Sequence, residues 1–374
     1  MNKKITATAA ILAIAAYALL SSNTYYVSPN GSDTNNGSIN APYKTIARAL
    51  SVAASGDTVY VRGGEYTGFT VSKSVNVLGY SGENPHITGR IICYRADNVV
   101  ISGFEVTGGS GSYTGAILLD TCNGATVSYN SVHDNLGGTI SGIAVARSNN
   151  ARIIYNDVYN NAYVGIRLSS GTNIEVAQNT VYSHTKAAGD ADCIDLVSPA
   201  VVTAYIHHNE VYGCADDGID TWTSGGNRIE YNVSHDNGGT GDGNGYKLGG
   251  GTTGGNNIVI GNLAYNNEAA GFTSNGNGNY YEGNSANNNG GWGFIDSWRT
   301  AGSTAKSSFI GNSANGNKLG SFGINQNYVI VFRDNGTLTA TPSLAITKTP
   351  TPRVTATWTP MVCEETESYI ICRK

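Results

Sequence analysis

The sequence predicts an all-β solenoid in which each repeat forms one coil of a parallel β-helix, and three observations lead to that prediction. First, a short β-prone run followed by asparagine recurs, as in "ARIIYNDVYNN" and "IVIGNLAYNN", at Asn130, Asn156, Asn179, Asn209, Asn232, Asn262, Asn284 and Asn312. Second, these asparagines are 22 to 30 residues apart, a period typical of solenoids and shorter than the roughly 40 residues of a β-propeller blade. Third, the repeats lack the apolar stripes at helical spacing that a helical solenoid requires.

A second pattern lies inside most repeats, where a small residue is followed by an apolar one. It occurs at Gly142-Ile143, Gly165-Ile166, Cys193-Ile194, Gly218-Ile219, Gly245-Tyr246, Gly271-Phe272 and Gly293-Phe294. Coils of a β-helix stack at the strand spacing of roughly 4.8 Å, so equivalent residues form columns along the axis. Asparagine suits such columns because its amide can bond both the next asparagine and the backbone of the turn.

The first coil needs a cover, because an open β-helix end presents unpaired backbone groups. In "APYKTIARALSVAASGDTVYV", Ile46, Leu50 and Ala53 have helical spacing, and a strand is predicted at Thr58 to Val61. We therefore expect a short N-terminal capping helix followed by the first regular coils.

The two chain ends differ in character from the repeats. Residues 1–22, "MNKKITATAAILAIAAYALLSS", have two lysines and then an apolar, alanine-rich run, the pattern of a secretion signal; an uncleaved anchor helix is the alternative. We therefore expect a secreted, extracellular protein whose β-helix spans residues 23–338. Residues 339–374 are predicted to form a Thr/Pro-rich linker, which holds four of the eight prolines, followed by a short tail.

The six cysteines fit an exported protein, but none has the C-x-x-C spacing of a zinc site. Cys363 and Cys372 in the tail form the most natural local pair, and the sequence leaves the connectivity of the other four open. The formal net charge is −5 and no basic face is evident, so the sequence argues against nucleic-acid binding. The histidines lie mostly in repeat turns, where we expect ladder or surface roles.

Charged residues make up only 13% of the chain, yet "GCADDGIDTW" places three carboxylates within five positions. Unpaired, such carboxylates would repel one another, and some would be driven to protonate. A cation is therefore expected near this stretch.

The columns bring further charged residues to the same place. Residues two positions after each small residue form one predicted column, Ala144, Arg167, Asp195, Asp220, Lys247, Thr273 and Ile295, and a neighbouring column holds Asp192, Asp217 and then Asn244. Four carboxylates, of Asp192, Asp216, Asp217 and Asp220, would then converge from two coils, which is the oxygen-rich environment that Ca²⁺ prefers. Solvated acidic turns are the alternative, and Asp195 either joins the site or pairs with Arg167.

Lys247 is the only cation between Arg228 and Arg299 and falls one coil beyond Asp220. A divalent cation nearby would disfavour the ammonium form and lower the lysine pKa toward the range of a base. Glycines around Lys247 leave room for a bulky substrate.

The motifs "DADCID", "CADDGID" and "GNGYKLGG" resemble those of the pectate lyases of polysaccharide lyase family nine, and the coil pattern agrees over roughly residues 25–335. The resemblance implies a right-handed parallel β-helix, a calcium ion held by Asp192, Asp216, Asp217 and Asp220, and Lys247 as catalytic base. Tyr246 stands where phenylalanine is expected in the family, a change that we expect to be harmless.

The resemblance also implies a reaction, the β-elimination of α-1,4-linked polygalacturonate. Calcium would withdraw charge from the substrate carboxylate, and neutral Lys247 would take the proton on carbon five. Other substrate carboxylates need further cations, for which Arg167 and Arg299 are candidates, and Trp298 offers a ring on which a sugar could stack.

Two other functions remain open from the sequence. A related lyase or epimerase acting on alginate or a glycosaminoglycan would use the same residues, because it also abstracts a carbon-five proton beside a carboxylate. A non-catalytic calcium-binding adhesin would need the aspartates and gains nothing from Lys247. We expect a monomer that binds an acidic plant polysaccharide and has no contact with a membrane once the signal is removed.

Overall fold

The repeats fold as predicted into coils of short parallel strands that enclose an apolar interior. The computed structural model describes residues 22–184, 190–197, 202–250, 254–296, 306–324, 329–333, 335–336, 362–366 and 369–373. The predicted secretion signal and most of the predicted linker lie outside these residues. Each regular coil contributes one strand to each of three faces, and residues at equivalent positions in successive coils pair directly.

Face 1 is a parallel sheet of thirteen strands. Its strands are β1 (Thr24–Val27), β2 (Thr58–Val61), β4 (Asn76–Gly79), β6 (Val100–Ser102), β9 (Thr126–Ser128), β12 (Arg152–Ile154), β15 (Gly171–Ala177), β18 (Val202–His207), β21 (Arg228–Glu230), β24 (Ile258–Ile260), β27 (Tyr280–Glu282), β30 (Ser307–Ile310) and β33 (Val329–Arg333). The predicted strand from Thr58 to Val61 is confirmed.

Faces 2 and 3 complete each coil, and two long early strands, β3 (Gly64–Val71) and β5 (Pro85–Tyr94), run along both of them. Face 2 contains β7 (Glu105–Thr107), β10 (Ser131–His133), β13 (Asp157–Tyr159), β16 (Thr180–Tyr182), β19 (Glu210–Tyr212), β22 (Val233–His235), β25 (Leu263–Tyr265), β28 (Ser285–Asn287) and β31 (Ser313–Asn315). Face 3 contains β8 (Ser110–Asp120), β11 (Gly137–Ala146), β14 (Ile166–Leu168), β17 (Ile194–Leu196), β20 (Ile219–Asp220), β23 (Tyr246–Leu248), β26 (Phe272–Ser274), β29 (Trp292–Asp296) and β32 (Gly320–Gly323).

The recurring asparagines form a buried ladder at the turn between faces 1 and 2. At Asn232, Oδ1 accepts the backbone N–H of Asn209 at 3.0 Å. Its Nδ2 donates to Asn262 Oδ1 and to the carbonyl of Ile206, each at 3.0 Å. Equivalent bonds link every pair of neighbours from Asn130 to Asn312. The ladder satisfies backbone groups that the turn would otherwise leave buried and unpaired.

The apolar residue of the second repeat pattern points into the interior and forms a continuous column. Ile166, Ile194 and Ile219 stack in register and are fully buried. From Tyr246 onward the column becomes aromatic, and the Tyr246 ring stacks on Phe272 with centroids 4.6 Å apart. The Tyr246 hydroxyl donates to the carbonyl of Leu263 at 3.2 Å, so the extra oxygen relative to phenylalanine has a partner.

The expected capping helix is present as α1 (Ile46–Val52). Thr45 is its N-cap, and the Thr45 side chain accepts the backbone N–H of Arg48. At the other end, the ammonium of Lys73 donates to the carbonyls of Leu50 and Ala53 at 2.9 and 2.7 Å. These contacts satisfy polar groups that a short helix leaves free and hold it over the first coil.

Beyond the β-helix, the structure describes a two-stranded antiparallel sheet of β34 (Val362–Thr366) and β35 (Tyr369–Arg373). Its register places Cys363 opposite Cys372, the pair that the sequence favours. The other four cysteines form the disulfides Cys93–Cys122 and Cys193–Cys214. Within the described part of the chain, no helix has both the length and the apolar character that a membrane span requires.

We predict that the buried ladder contributes strongly to stability. Replacing Asn232 with alanine leaves the buried Asn209 N–H without its acceptor and removes the side-chain bonds to Asn262 and to the Ile206 carbonyl, so the free energy of unfolding should fall by about 3 kcal/mol. Chemical denaturation followed by circular dichroism measures this loss. Asn149→Ala is the control, because Asn149 belongs to an exposed asparagine pair with Asn123 and water can replace its bonds. Equal losses in the two variants would contradict a special role for the buried ladder.

Candidate active site

Face 3 carries one column of side chains that changes from apolar to charged along the axis. The register pairs Ala144 with Arg167, Arg167 with Asp195, Asp195 with Asp220, and Asp220 with Lys247. It continues through Thr273 to Ile295. The column expected from the sequence is therefore confirmed residue by residue, and we call it the charged column from Arg167 to Lys247.

A neighbouring column holds Asp192, Asp217 and Asn244, as predicted. Asp192 Oδ1 accepts the backbone N–H of Asp217 at 3.0 Å. Asp217 Oδ1 in turn accepts both the backbone N–H and the Nδ2 of Asn244, at 2.7 and 2.8 Å. Asn244 Oδ1 continues the series by accepting the backbone N–H of Ala270. One oxygen of each aspartate thus accepts a backbone hydrogen bond, and the other oxygen takes no part in this series of bonds.

Asp216 completes a cluster of three buried carboxylates. Asp216 Oδ1 accepts the backbone N–H of Asp242 at 2.6 Å. One oxygen each from Asp192, Asp216 and Asp217 lies within 4.8 Å of the other two, a spacing that suits a shared metal ion. Asp220 is absent from this triplet because its side chain lies in the charged column, where its Oδ2 is 3.4 Å from Lys247 Nζ.

Burial disfavours the ionised form of these carboxylates unless a further positive charge lies nearby. Burial, reinforced by neighbouring carboxylates, raises the pKa of Asp192 and of Asp220 well above the usual range of aspartate. Burial also raises the pKa of Asp217 to about 6, although the Lys247 ammonium opposes the shift. The pKa of Asp216 is raised for the same reason.

Lys247 is largely buried and is held by carboxylates on several sides. Its Nζ lies 2.9 Å from Asp242 Oδ2, 3.2 Å from Asp217 Oδ2 and 3.4 Å from Asp220 Oδ2. Burial disfavours the ammonium, but the charges of Asp220 and Asp217 and the hydrogen bond to Asp242 outweigh it and raise the pKa of Lys247. The protein groups alone therefore keep Lys247 protonated, so the lowered pKa expected from the sequence requires a cation that neutralises these carboxylates.

Asp195 pairs with Arg167, one of the two alternatives that the sequence left open. Arg167 Nε lies 3.8 Å from Asp195 Oδ2. The guanidinium also lies over the ring of Tyr163, 5.0 Å from its centroid, and its Nη1 is buried without a hydrogen-bond partner. Burial raises the pKa of Asp195 to about 7 despite the attraction of Arg167. Arg167 thus has one loose ion pair and a donor left over.

Two residues near Lys247 received no role from the sequence, although one of them, Trp222, ends the quoted stretch "GCADDGIDTW". Asp242 supplies the shortest carboxylate contact to Lys247 and holds Asp216 through its backbone. Trp222 lies two residues after Asp220, and Lys247 Nζ is 5.3 Å from the centroid of its ring. The ring is 43% exposed, so it forms an aromatic wall beside the lysine. Side chains alternate between the two sides of a strand, so the spacing of two residues predicts that Trp222 lies on the same side as Asp220. No pattern in the glycine-rich turn indicated where the side chain of Asp242 would lie.

A disulfide ties together the two coils that supply the cluster. A second buried ladder lies five residues after the first and consists of Asn135, Asn161, His184, Cys214, Asn237, Asn267, Asn289 and Asn317. Burial lowers the pKa of His184 to about 4, so its neutral ring serves as a ladder acceptor. Cys214 takes the next place and bonds to Cys193, the residue directly after Asp192. The covalent link therefore lies beside the carboxylates.

The carboxylates of Asp192, Asp216 and Asp217 fit a hard divalent cation. They are buried, one oxygen of each lies close to the other two, and the neighbouring Asp220 has an Oδ1 with no hydrogen-bond partner. Buried carboxylates of this kind are stable only when paired or bound to a metal. Trp298 and Arg299, the remaining predicted substrate residues, lie outside the described residues.

Two curated proteins match part of the chain. "Uncharacterized protein YwoF" of Bacillus subtilis is 42% identical over 81 residues, which is 22% of this chain and 16% of that protein. "Pectate lyase PEL9" of Emericella nidulans is 37% identical over 83 residues, which is 22% of this chain and 19% of that protein. The matches thus span less than a fifth of the relatives' own lengths.

Solved structures and a family model cover far more of the chain. The crystal structure of pectate lyase Pel9A matches with a TM-score of 0.60 at 20% identity, over 84% of this chain and 79% of that one. The complex of XylC with xylose reaches a TM-score of 0.63 at 13% identity, over 86% and 87% of the two chains, so these likenesses show the fold alone. The family model described as "Pel9A-like, right handed beta helix region" matches residues 25–330. The chain therefore belongs to the Pel9A-like family of right-handed parallel β-helices.

Proposed function

We propose that the protein is a secreted, calcium-dependent pectate lyase that cleaves α-1,4-linked polygalacturonate by β-elimination. The observation that carries this proposal is the juxtaposition of a lysine with a metal-binding cluster. Lys247 Nζ lies 3.2 Å from Asp217 Oδ2, and Asp217 shares the three-carboxylate cluster with Asp192 and Asp216. A structural metal site has no need of an ammonium in contact with one of its ligands, so this arrangement favours catalysis over the adhesin.

Asp192, Asp216 and Asp217 would hold the calcium ion, with Asp220 facing it from the charged column. A calcium ion bound there would neutralise the carboxylates that keep Lys247 protonated and would withdraw charge from the carboxylate of the bound uronate. The hydrogen bonds of Asn244 and of the Asp217 and Asp242 backbones already orient the three ligands before any ion binds. Little rearrangement is then needed on binding.

Lys247 would act as the base that removes the proton from carbon five of the uronate. Its Nζ is held at a fixed place by Asp217, Asp220 and Asp242, and its side chain is 11% exposed, so competing water is largely excluded. The proton moves to Nζ and the bond between carbon four and the glycosidic oxygen breaks. The leaving oxygen takes up a proton, so that no net proton is released, and the product carries a double bond between carbons four and five. The reaction needs no water and no acid–base carboxylate pair of the kind that glycosidases use.

Substrate binding would use groups that border the charged column. The guanidinium of Arg167, whose side chain is 16% exposed, can pair with a uronate carboxylate, and the exposed ring of Trp222 can stack on a sugar. We keep Trp298 and Arg299 as proposed substrate-binding residues on the basis of the sequence. The relative named as a pectate lyase in Emericella nidulans supports galacturonan over other uronans, and the predicted signal at residues 1–22 supports secretion.

The first prediction from this mechanism concerns Lys247. Wild type should release 4,5-unsaturated product from polygalacturonate only when calcium is present, as measured by ultraviolet absorbance. Lys247→Ala should lower kcat by about 10²- to 10⁴-fold, the range typical of a positioned base. Lys247→Arg should be nearly as inactive, because arginine keeps the ion pairs but stays protonated at every working pH.

Lys318→Ala is the control, because it removes one lysine that lies several coils away from Lys247. A Lys247→Arg variant with wild-type kcat would contradict the role of base. If wild type releases product from alginate but none from polygalacturonate, alginate becomes the proposed substrate and the proposed mechanism is unchanged.

The second prediction concerns pH. Burial raises the pKa of Asp217 to about 6 and also raises the pKa of Asp192, so protons should compete with calcium at both carboxylates. The calcium affinity should therefore fall about tenfold from about pH 7.5 to about pH 5.5. In the metal-free protein these raised pKa values favour folding at low pH, and that contribution should disappear as pH rises through about 6. The increase in Tm caused by calcium should therefore be larger at pH 7.5 than at pH 5.5.

Isothermal titration calorimetry and thermal melts with and without chelator measure these two quantities. Asp217→Asn should abolish most of the calcium effect at both pH values, whereas Asp97→Asn, a change at an exposed turn, should leave it intact. Calcium affinity that is independent of pH across this interval would contradict the assignment of buried aspartates as ligands.

A further inference from the structure

A second feature of face 3 lies far from Lys247, near the N-terminal end of the coil stack. An open cavity of about 360 Å³ is lined by the backbone of three glycines and by side chains that include Thr70, Ile92 and Arg90. Because glycines form much of its wall, a ligand can approach the backbone closely. A ligand in this cavity would lie beside the guanidinium of Arg90.

Arg90 differs from the arginines that the fold uses in surface ion pairs. Arg62, Arg152 and Arg228 each lie 2.6 Å from a glutamate. Arg90 has no carboxylate partner among the described residues, and its bonds go to two neutral acceptors, the Gly115 carbonyl and the Thr114 hydroxyl.

The charge of Arg90 is also partly removed from water. Burial lowers the pKa of Arg90, and no neighbouring acid opposes that shift. The bonds to Gly115 and Thr114 occupy Nε and Nη2, so Nη1 has no acceptor within the described part of the chain. A half-buried cation with free donors at the edge of a cavity is the arrangement that binds an anion.

The cavity and the proposed catalytic lysine lie on one continuous strip of the surface. Thr70 pairs with Ile92, and Ile92 pairs with Leu118, which pairs with Ala144 at the start of the charged column. From Ile92 to Lys247 there are six strand pairings, or about 29 Å at the spacing of parallel strands.

Cations recur along this strip at equal intervals. Arg90 precedes Ile92 by two residues, Arg167 lies three pairings beyond Ile92, and Lys247 lies three beyond Arg167. A polysaccharide with a carboxylate on every sugar, extended along the coil axis, would meet a positive group at each of these points. Between Arg90 and Arg167, the partly exposed Leu118 offers an apolar side chain against which a sugar ring can lie.

We propose that the Arg90 cavity is a distal subsite that binds a uronate carboxylate of the same polysaccharide chain whose scissile bond lies at Lys247. This inference rests on the proposed function for the identity of the chain, and it makes a separate claim about binding. It predicts a preference for long chains, because only a chain that spans six coils can occupy both places.

Binding of galacturonate oligomers without turnover tests the subsite, with Lys247→Ala as the background. Arg90→Gln keeps the aliphatic stem and one amide donor but removes the charge. It should weaken binding of a dodecamer about tenfold and that of a trimer by no more than about twofold, since the trimer cannot span the strip. Arg152→Gln, which removes a charge from face 1, is the matched control and should change neither affinity.

A second pair of variants leaves Arg90 in place. Thr70→Glu puts a carboxylate into the cavity wall and should also weaken dodecamer binding, whereas Thr70→Gln should not. Dodecamer binding that is unchanged in both Arg90→Gln and Thr70→Glu would overturn the subsite, even in an enzyme that cleaves polygalacturonate. Arg90-dependent binding by a wild type that releases no unsaturated product would support the subsite and contradict the lyase proposal.

Discussion

The hydrogen bond between a side chain on one coil and the backbone of the next is the interaction on which this structure depends. Parallel pairing sets the spacing of the coils, and the buried amides fix their register, because a slipped coil would leave each asparagine without its partners. Asn209 and Asn232 illustrate this at the turn between faces 1 and 2. Since register decides which residues form a column, the same bonds decide which side chains meet at the site.

The carboxylate cluster is built on the same principle, with the direction of the bonds reversed. In the asparagine ladder the backbone donates to a side chain on the following coil, as from Asn130 to Asn156. In the site the backbone donates to the preceding coil, as from Asp217 to Asp192. Replacing amides by carboxylates in a ladder position leaves one free oxygen per rung and concentrates negative charge in the interior wall. The fold thereby makes the binding of a cation favourable at that point.

The columns, the capping helix and the asparagine ladder were predictable because each depends only on spacing and on residue type. The repeat pattern placed Asp220 beside Lys247 correctly. Turn conformation was not predictable from spacing, so the contact of Asp242 with Lys247 was missed. The protonation of Lys247 depends on summed charges at distances that only the folded chain defines.

The central claim is that the free oxygens of the triplet bind calcium together with a uronate whose carbon five faces Lys247. A crystal structure of the Lys247→Ala protein soaked with calcium and a galacturonate oligomer tests it most directly, with anomalous scattering to locate the ion. The account predicts the ion between Asp192, Asp216 and Asp217, bound also by a uronate carboxylate, with carbon five turned toward the space vacated by the lysine. An ion bound elsewhere, or an oligomer whose carboxylate avoids the triplet, would contradict it.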